Sequence, residues 1–217
     1  ITKLVSKKDH NLHQALNRGL KLANGEIIHV MNSDNYFAHE NFFERSLAAL
    51  ETNRVDYTHG DREIIRRDGG PTTIKRGDER VAFYRMPFRW QTMLIRREIY
   101  DAFGPFDESY RIVSDYKFFL RVVMAGKKGY YIPDVLIHSL GGGITSDRQC
   151  CIEEVSEVLF DSYGMRYGLN REECRQIYLQ QISPALFEKI ATRVTDERIL
   201  ASLSLCFNQQ THAVRRT

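Results

Sequence analysis

A chain of 217 residues can form one substantial core with a small appendage. Its 42% hydrophobic and 27% charged residues fit an ordinary globular protein, and a net charge of +3 is too small to argue for nucleic acid or a membrane surface. No apolar run approaches the roughly 18 residues that span a bilayer.

The stretch from Ile1 to Asp9 has no continuous apolar region and does not read as a signal peptide. Without an initiator Met, the sequence reads as starting inside a longer protein. Leu12, Ala15, Leu16, Gly19, Leu20 and Leu22 recur at helical spacing, and Asn24-Gly25 marks the end of that helix. Ile27, Ile28, Val30 and Met31 then predict a buried strand, which stops at Asn32-Ser33-Asp34-Asn35. A carboxylate among polar oxygens at the end of a sheet strand suits a divalent ion that bridges to substrate phosphates. The alternative for Asp34 is a polar strand-to-helix turn.

A helix is expected over 39–52, a strand over 55–60, and a hairpin from 62–67 and 72–76 around Asp68-Gly69-Gly70-Pro71. A short strand over 92–95 leads into a helix over 97–103 and a turn at 104–107. Ser114 is placed as the N-cap of a helix over 114–125, and a strand follows over 130–137. After the glycine loop at 140–145 the pattern is helical: 151–163, 171–181, 184–193 and 197–206, with a frayed polar tail from Asn208. The domain reading is an α/β body over 1–147 and a helical region over 148–217. The body opens on a helix, so a strand–helix–strand unit is expected upstream. Cys150, Cys151, Cys174 and Cys206 form no C-x-x-C pair, so they read as reduced, structural thiols in a cytoplasmic protein without a zinc site.

Four segments, in order, resemble bacterial family 2 glycosyltransferases of the colanic-acid-type, polysaccharide-building branch. They are Ser6–Asp9 with Ala15–Gly19; Ala23–Gly25 with Asn32-Ser33-Asp34-Asn35; Arg96–Glu98 through Phe103–Glu108 to Ser114-Asp115-Tyr116 and Leu120-Arg121; and Gly141–Thr145. The resemblance implies a GT-A-like, Rossmann-type mixed α/β sheet, N-terminally incomplete, with a C-terminal helical appendage. It also implies inverting transfer of a sugar from a nucleotide-sugar donor to a glycan or lipid-linked acceptor, with Mg²⁺ or Mn²⁺ neutralising the leaving diphosphate.

On that resemblance Asp34 is the metal-contacting carboxylate, Asn32 replaces the family's first acid, and Asn35 replaces the acid that usually follows. Asp115 is the general base, placed at a helix N-terminus that favours its ionised form. Its alternative is a first-turn acid serving stability. Asp107 is a competing base that more readily closes a turn. Asp9, Asn17, Asn32, Ser33 and Asp61 fall on the donor side, with Asp61 also able to cap the hairpin. Asn17 sits mid-helix, an unfavourable place for Asn that hints at a polar task. Trp90 and Gln91 fall on the acceptor side, where the ring could stack on a sugar or belong to the core. His138 is a further metal ligand or a hydrogen-bonded structural residue. The glycine loop reads as a lid, with Arg148 adding charge to the phosphates. A membrane surface and a second copy of the chain are further partners the resemblance admits; nucleic acid is not. Two other readings compete: a non-catalytic glycosyltransferase-like fragment that binds a partner or glycan, and a nucleotidyltransferase.

Overall fold

The computed structural model describes residues 3–66, 68–140 and 147–214. Its centre is a six-stranded mixed sheet of β1 (Ile27–His29), β2 (Asn35–Phe37), β3 (Tyr57–Ile65), β4 (Thr73–Lys75), β5 (Leu94–Arg96) and β6 (Gly129–Leu140). The strand order is β1-β5-β3-β6-β2, with β4 paired to β3. The β3–β6 pair is parallel and the other pairs are antiparallel. This is the mixed α/β sheet expected from the sequence.

The long parallel pair sets the sheet's geometry. Tyr57–Gly60 lie opposite Gly129–Ile132, but Asp61 lies opposite Val135 and Arg62 opposite Ile137. The extra residues of β6 include Pro133, which has no N–H to give a ladder and falls where the register shifts. Gly60 stands at that shift. A Cβ there would lie 2.6 Å from Leu136 Cδ1 and 2.9 Å from the Ile132 carbonyl oxygen, so the absent side chain lets the strands meet.

Helices cover the sheet. α1 (Leu12–Leu22) starts where the Asn11 side chain accepts from the Gln14 N–H at 2.9 Å. α2 (Phe42–Thr52) buries Phe42, Ser46 and Leu50. Phe42 joins Leu94, Ile132, Leu136 and Ile137 in a small cluster on one part of the sheet. α3 (Arg97–Phe103) ends at Gly104, whose φ of 78° suits a residue without a side chain. α4 (Ser114–Met124) buries Tyr116, Phe118, Phe119, Leu120 and Val122. Each such large apolar side chain contributes about 1.5–3 kcal/mol by burial.

The helical region comprises α5 (Arg148–Leu159), a π-turn over Phe160–Gly164, α6 (Arg171–Tyr178), α7 (Pro184–Arg193) and α8 (Glu197–Val214). It shares one core with the body: Val155, Val158, Tyr163 and Leu203 pack in the same cluster as Tyr57, Phe88 and Phe118. Hydrogen bonds stitch the two regions together, from Tyr163 Oη to the Phe83 carbonyl at 2.7 Å and from Tyr84 Oη to Gln209 at 3.3 Å. No described helix is long and apolar enough to cross a membrane.

Several boundaries differ from the sequence expectation. The strand ending near Met31 stops at His29, where the chain leaves the edge of the sheet. β2 falls in a segment expected to be irregular, because Asn35 pairs opposite Ser139 of β6. From Asn208 to Val214 the chain is helical, where a frayed tail was expected: the Ile182 N–H donates to Gln210 Oε1 at 2.9 Å, and the Gln210 amide donates back to the Ile182 carbonyl.

Gly60→Ala should cost about 1–3 kcal/mol, because overpacking here meets backbone as well as side chain. Urea denaturation of the variant beside the parent chain measures it, and an unchanged midpoint would show that the register shift yields freely.

Candidate functional site

The end of β1 leads through a turn, in which the Asn35 N–H donates to the Asn32 carbonyl at 3.1 Å, into Asp34. Asn35 is buried and joins two polar groups. Its amide donates to Asp34 Oδ1 at 2.5 Å, and its oxygen accepts from Ser139 Oγ at 2.8 Å. The Leu140 N–H fixes the Asp34 carbonyl at 2.9 Å. Asn35 is therefore an orienting group for Asp34, holding one of its carboxylate oxygens.

Among the described residues no three His, Cys, Asp or Glu side chains gather. A divalent ion here would take most of its oxygens from a diphosphate and water, a mode that hard cations such as Mg²⁺ favour and that one oriented carboxylate fits. His138 is half-buried, with Nδ1 3.0 Å from Glu63 Oε2 and its ring against Tyr36. That contact is one of proximity, since Nδ1 makes no hydrogen bond of good geometry.

Asp115 lies in the first turn of α4. Ser114 is not the N-cap; its hydroxyl is buried without a partner, and the cap position is Val113. The capping group comes from another helix. The Glu154 carboxylate of α5 accepts from the N–H groups of Arg111 at 2.6 Å, Ile112 at 2.8 Å and Val113 at 3.1 Å. An anion on successive N–H groups at a helix N-terminus is stabilised by hydrogen bonds and by the helix dipole.

Asp115 Oδ1 accepts from the Tyr116 N–H at 2.8 Å. Burial pushes its pKa up from the ordinary 3.8, against the pull of that N–H and of the His13 and Arg89 charges. The helix N-terminus had suggested a depressed value; desolvation outweighs it. At Asp107 burial also raises the pKa, but Lys117 at 2.8 Å and the Ser109 hydroxyl at 2.6 Å prevail and hold the group at about 2. Asp107 is thus a weak base that closes its turn.

Asp115 lines a cavity of about 700 Å³, together with Trp90, Val113, Arg148, Cys151 and Tyr178. Trp90 is both core and wall: it packs edge-on against Phe106 and Phe118 and is 4% exposed. Two carboxylates line the cavity, and Asp78 is already paired with Arg80 at 2.8 Å. Among the described residues Asp115 is the lining carboxylate without an ion pair.

The other expected residues divide. Asn17 is buried, and its amide is spent on the turn after α3: it donates to the Phe106 carbonyl at 2.9 Å and Glu108 at 2.8 Å, and accepts from the Phe106 N–H at 2.8 Å. Its polar task is thus a structural clamp. Asp9 pairs with Arg18 at 2.7 Å. Asp61 Oδ1 accepts from Tyr131 Oη at 2.7 Å and the Gly77 N–H at 3.1 Å, contacts that fasten the hairpin. Gln91 is buried beside Trp90, with its carbonyl accepting from or facing His29 Nε2 at 2.9 Å. Ser33 is exposed and Asn32 half-exposed beside Asp34. Arg148 shares the cavity of Asp115 and Trp90. The glycine loop at 141–145 lies outside the described residues.

Sequence reasoning missed Glu154 and the cations Arg62, Lys75, Arg76, Arg85 and Arg89, which line the cavity. Lys75-Arg76 beside a hairpin turn was a visible signal, but its cavity is made by the fold. Arg62 stands between two stations: burial and the nearby Arg89 lower its pKa, and Asp34 raises it. Its guanidinium therefore feels both the Asp34 carboxylate and the Asp115 side of the site.

Residues 1–114 match the family model described as glycosyl transferase family 2. No curated protein matches the chain. Among solved structures, S. aureus TarS 1–349 in complex with UDP-GlcNAc is similar with a TM-score of 0.57 at 15% identity, covering 93% of this chain and 62% of that one. The structure of S. aureus TarS scores 0.53 at 12% identity, covering 87% and 38%. The likeness is one of fold, and the chain spans less than two thirds of either structure.

Removing the Glu154 carboxylate leaves three N–H groups short of an acceptor. Glu154→Ala should lose about 1–3 kcal/mol, and Glu154→Gln less, in thermal or chemical denaturation. Equal stability of all three proteins would mean that water caps α4 as well as Glu154 does.

Proposed function

Since the chain belongs to glycosyl transferase family 2, we propose that it moves a sugar from a nucleotide-sugar donor to a hydroxyl of a glycan or lipid-linked acceptor, with inversion at the anomeric carbon, in polysaccharide assembly. The observation that carries this reading is Asp115: an unpaired carboxylate on the wall of a cationic cavity, with one oxygen held by the Tyr116 N–H. The second oxygen is available to take a proton.

Inversion needs one displacement. The acceptor hydroxyl attacks the anomeric carbon as its proton passes to Asp115, and the bond to the diphosphate breaks. The raised pKa makes Asp115 a stronger base than an exposed aspartate. Trp90 offers an apolar wall to the acceptor sugar. Arg62, beside Asp34, and Arg148 on α5 receive the diphosphate charge. Asp34 would hold Mg²⁺ or Mn²⁺, which when bound would supply positive charge to offset that of the leaving group. Asn35 and Ser139 keep the Asp34 carboxylate aimed.

Asp115→Asn should lower kcat by about 10²–10⁴-fold. The parent's activity should rise with pH through an apparent pKa above 3.8. Folding raises the pKa of Asp115, so its ionised form costs stability above that pKa, and the cost fades as pH falls towards the unfolded value. Asp115→Asn should therefore melt at a higher temperature than the parent at neutral pH. Near-normal transfer by this variant would remove Asp115 from the mechanism.

At Asp34 the test is titration calorimetry of UDP and GDP, each with MnCl₂. Asp34→Asn should weaken the Mn²⁺-dependent part of nucleotide binding about tenfold or more. Equal affinity in both proteins would place the metal elsewhere. Absence of binding by the parent at millimolar nucleotide would favour a chain that only binds a glycan or partner.

A further inference from the structure

Six cationic side chains line the cavity: Arg62, Lys75, Arg76, Arg85, Arg89 and Arg148. Twelve other Arg or Lys side chains form ion pairs elsewhere on the described surface, and none of these six does. Arg62 Nε and Arg89 Nε are buried and have no hydrogen-bond partner, a feature shared outside the cavity by Arg97 Nη2 and Arg121 Nε, whose guanidinium groups, unlike these two, also bond backbone carbonyls. A buried guanidinium N–H without an acceptor is expensive, so such groups mark a place where a ligand supplies one.

The donor leaves much of this charge unexplained. A nucleotide-sugar diphosphate carries one charge on each phosphate, and a divalent ion at Asp34 offsets them. Arg62 and Arg148 suffice for the remainder. Lys75 and Arg76, around the end of β4, and Arg85 and Arg89, on the segment leading to Trp90, line the same cavity as Asp115. Like charges that outnumber the carboxylates among them repel one another, as the effect of Arg89 on Arg62 illustrates; Asp34, Asp78 and Asp115 offset six cations only in part. The arrangement is stable with an anion among them. Guanidinium groups favour oxyanions that accept two parallel hydrogen bonds.

We propose that the acceptor is itself anionic: a carbohydrate or polyol bearing a phosphate or carboxylate, with that oxyanion seated on Arg76, Arg85 and Arg89 and the reacting hydroxyl at Asp115. This rests on the reading of the cavity as the acceptor side of a glycosyl-transfer site. Charge then selects the substrate. A neutral sugar of the same shape leaves the guanidinium groups unpaired and binds more weakly.

Trp90 is the single tryptophan of the chain and lies on the cavity wall, so its fluorescence reports on this site. The probes are glucose 6-phosphate, glucuronate and glucose, followed by fluorescence and titration calorimetry at low and high NaCl. The charged sugars should saturate and weaken with salt, and glucose should bind about tenfold more weakly or worse. A stronger response to glucose 6-phosphate assigns a phosphate-bearing acceptor, and a stronger response to glucuronate a carboxylate-bearing one. Arg76→Ala/Arg85→Ala should weaken the charged sugar about tenfold with unchanged melting, while Arg175→Ala, whose partner is Glu172 on the surface, should not.

Equal binding of all three sugars, no heat or fluorescence change with any, or an unaffected double variant would overturn the proposal. Repeating the titration with UDP or GDP and MnCl₂ separates the two readings. Simultaneous binding supports the acceptor site. Competitive displacement would return these arginines to the donor and overturn the proposal while leaving glycosyl transfer intact. Sugar-phosphate binding without any nucleotide binding would instead undercut the transferase reading.

Discussion

The Glu154 carboxylate on the N–H groups of Arg111, Ile112 and Val113, the residues that lead into α4, is the contact on which the site depends. It joins a helix of the C-terminal region to a helix of the sheet-bearing body at the point where Asp115 emerges. Helix N-termini usually take their caps from the residue just before them. Here Glu154 reaches the three residues before α4 from 41 to 43 positions away, so the chain's entry into α4 is fixed only when α5 is in place. The cavity inherits this dependence, since one wall comes from Val113 and Asp115 and another from Arg148, Cys151 and Val155. The helical region is therefore part of the chemistry's support, and its shared core with the body follows from the same contact.

Charge is distributed in a comparable division of labour. Twelve Arg or Lys side chains on the described surface pair with a nearby acid, and such exposed pairs contribute about 0–1 kcal/mol each. Around the cavity that pattern is suspended. The unpartnered guanidinium groups raise the folded chain's energy without ligand and are the part of the surface best prepared to receive one. Asp115 belongs to the same economy: its burial disfavours the ionised form, and the resulting basicity is what a proton acceptor requires.

Much of the fold was legible locally. Apolar residues at helical spacing marked α1, α4 and α7, because each buries one face. β2 was not legible: Asn35-Tyr36-Phe37 is one buried polar residue followed by two exposed aromatic ones and becomes a strand only by pairing with β6. The last turns of α8 were hidden for a similar reason, since Gln210 is helical in exchange for hydrogen bonds to Ile182. In the site, Asp34 and Asp115 stood out because each ends or begins an element. The task of Asn17 was sensed but not its partner, which lies 89 residues on. The arginines could not be grouped beforehand: they come from three strands and loops and one distant helix, and only the β3–β4 pairing and the turn of the chain at Trp90 bring them to one wall.

The register shift between β3 and β6 has a consequence for how this chain tolerates change in length. Side chains alternate faces along a strand, so parity decides which face each one occupies. The extra residues around Pro133 and Asp134 leave Ser139 directly across from Asn35, with its hydroxyl on the Asn35 oxygen. Losing a single residue from that stretch would turn the Ser139 hydroxyl to the opposite face and release Asn35, and with it the aim of Asp34. Losing two would restore the face. Variation in β6 is therefore constrained by odd and even as well as by bulk, several residues away from any group that meets a substrate.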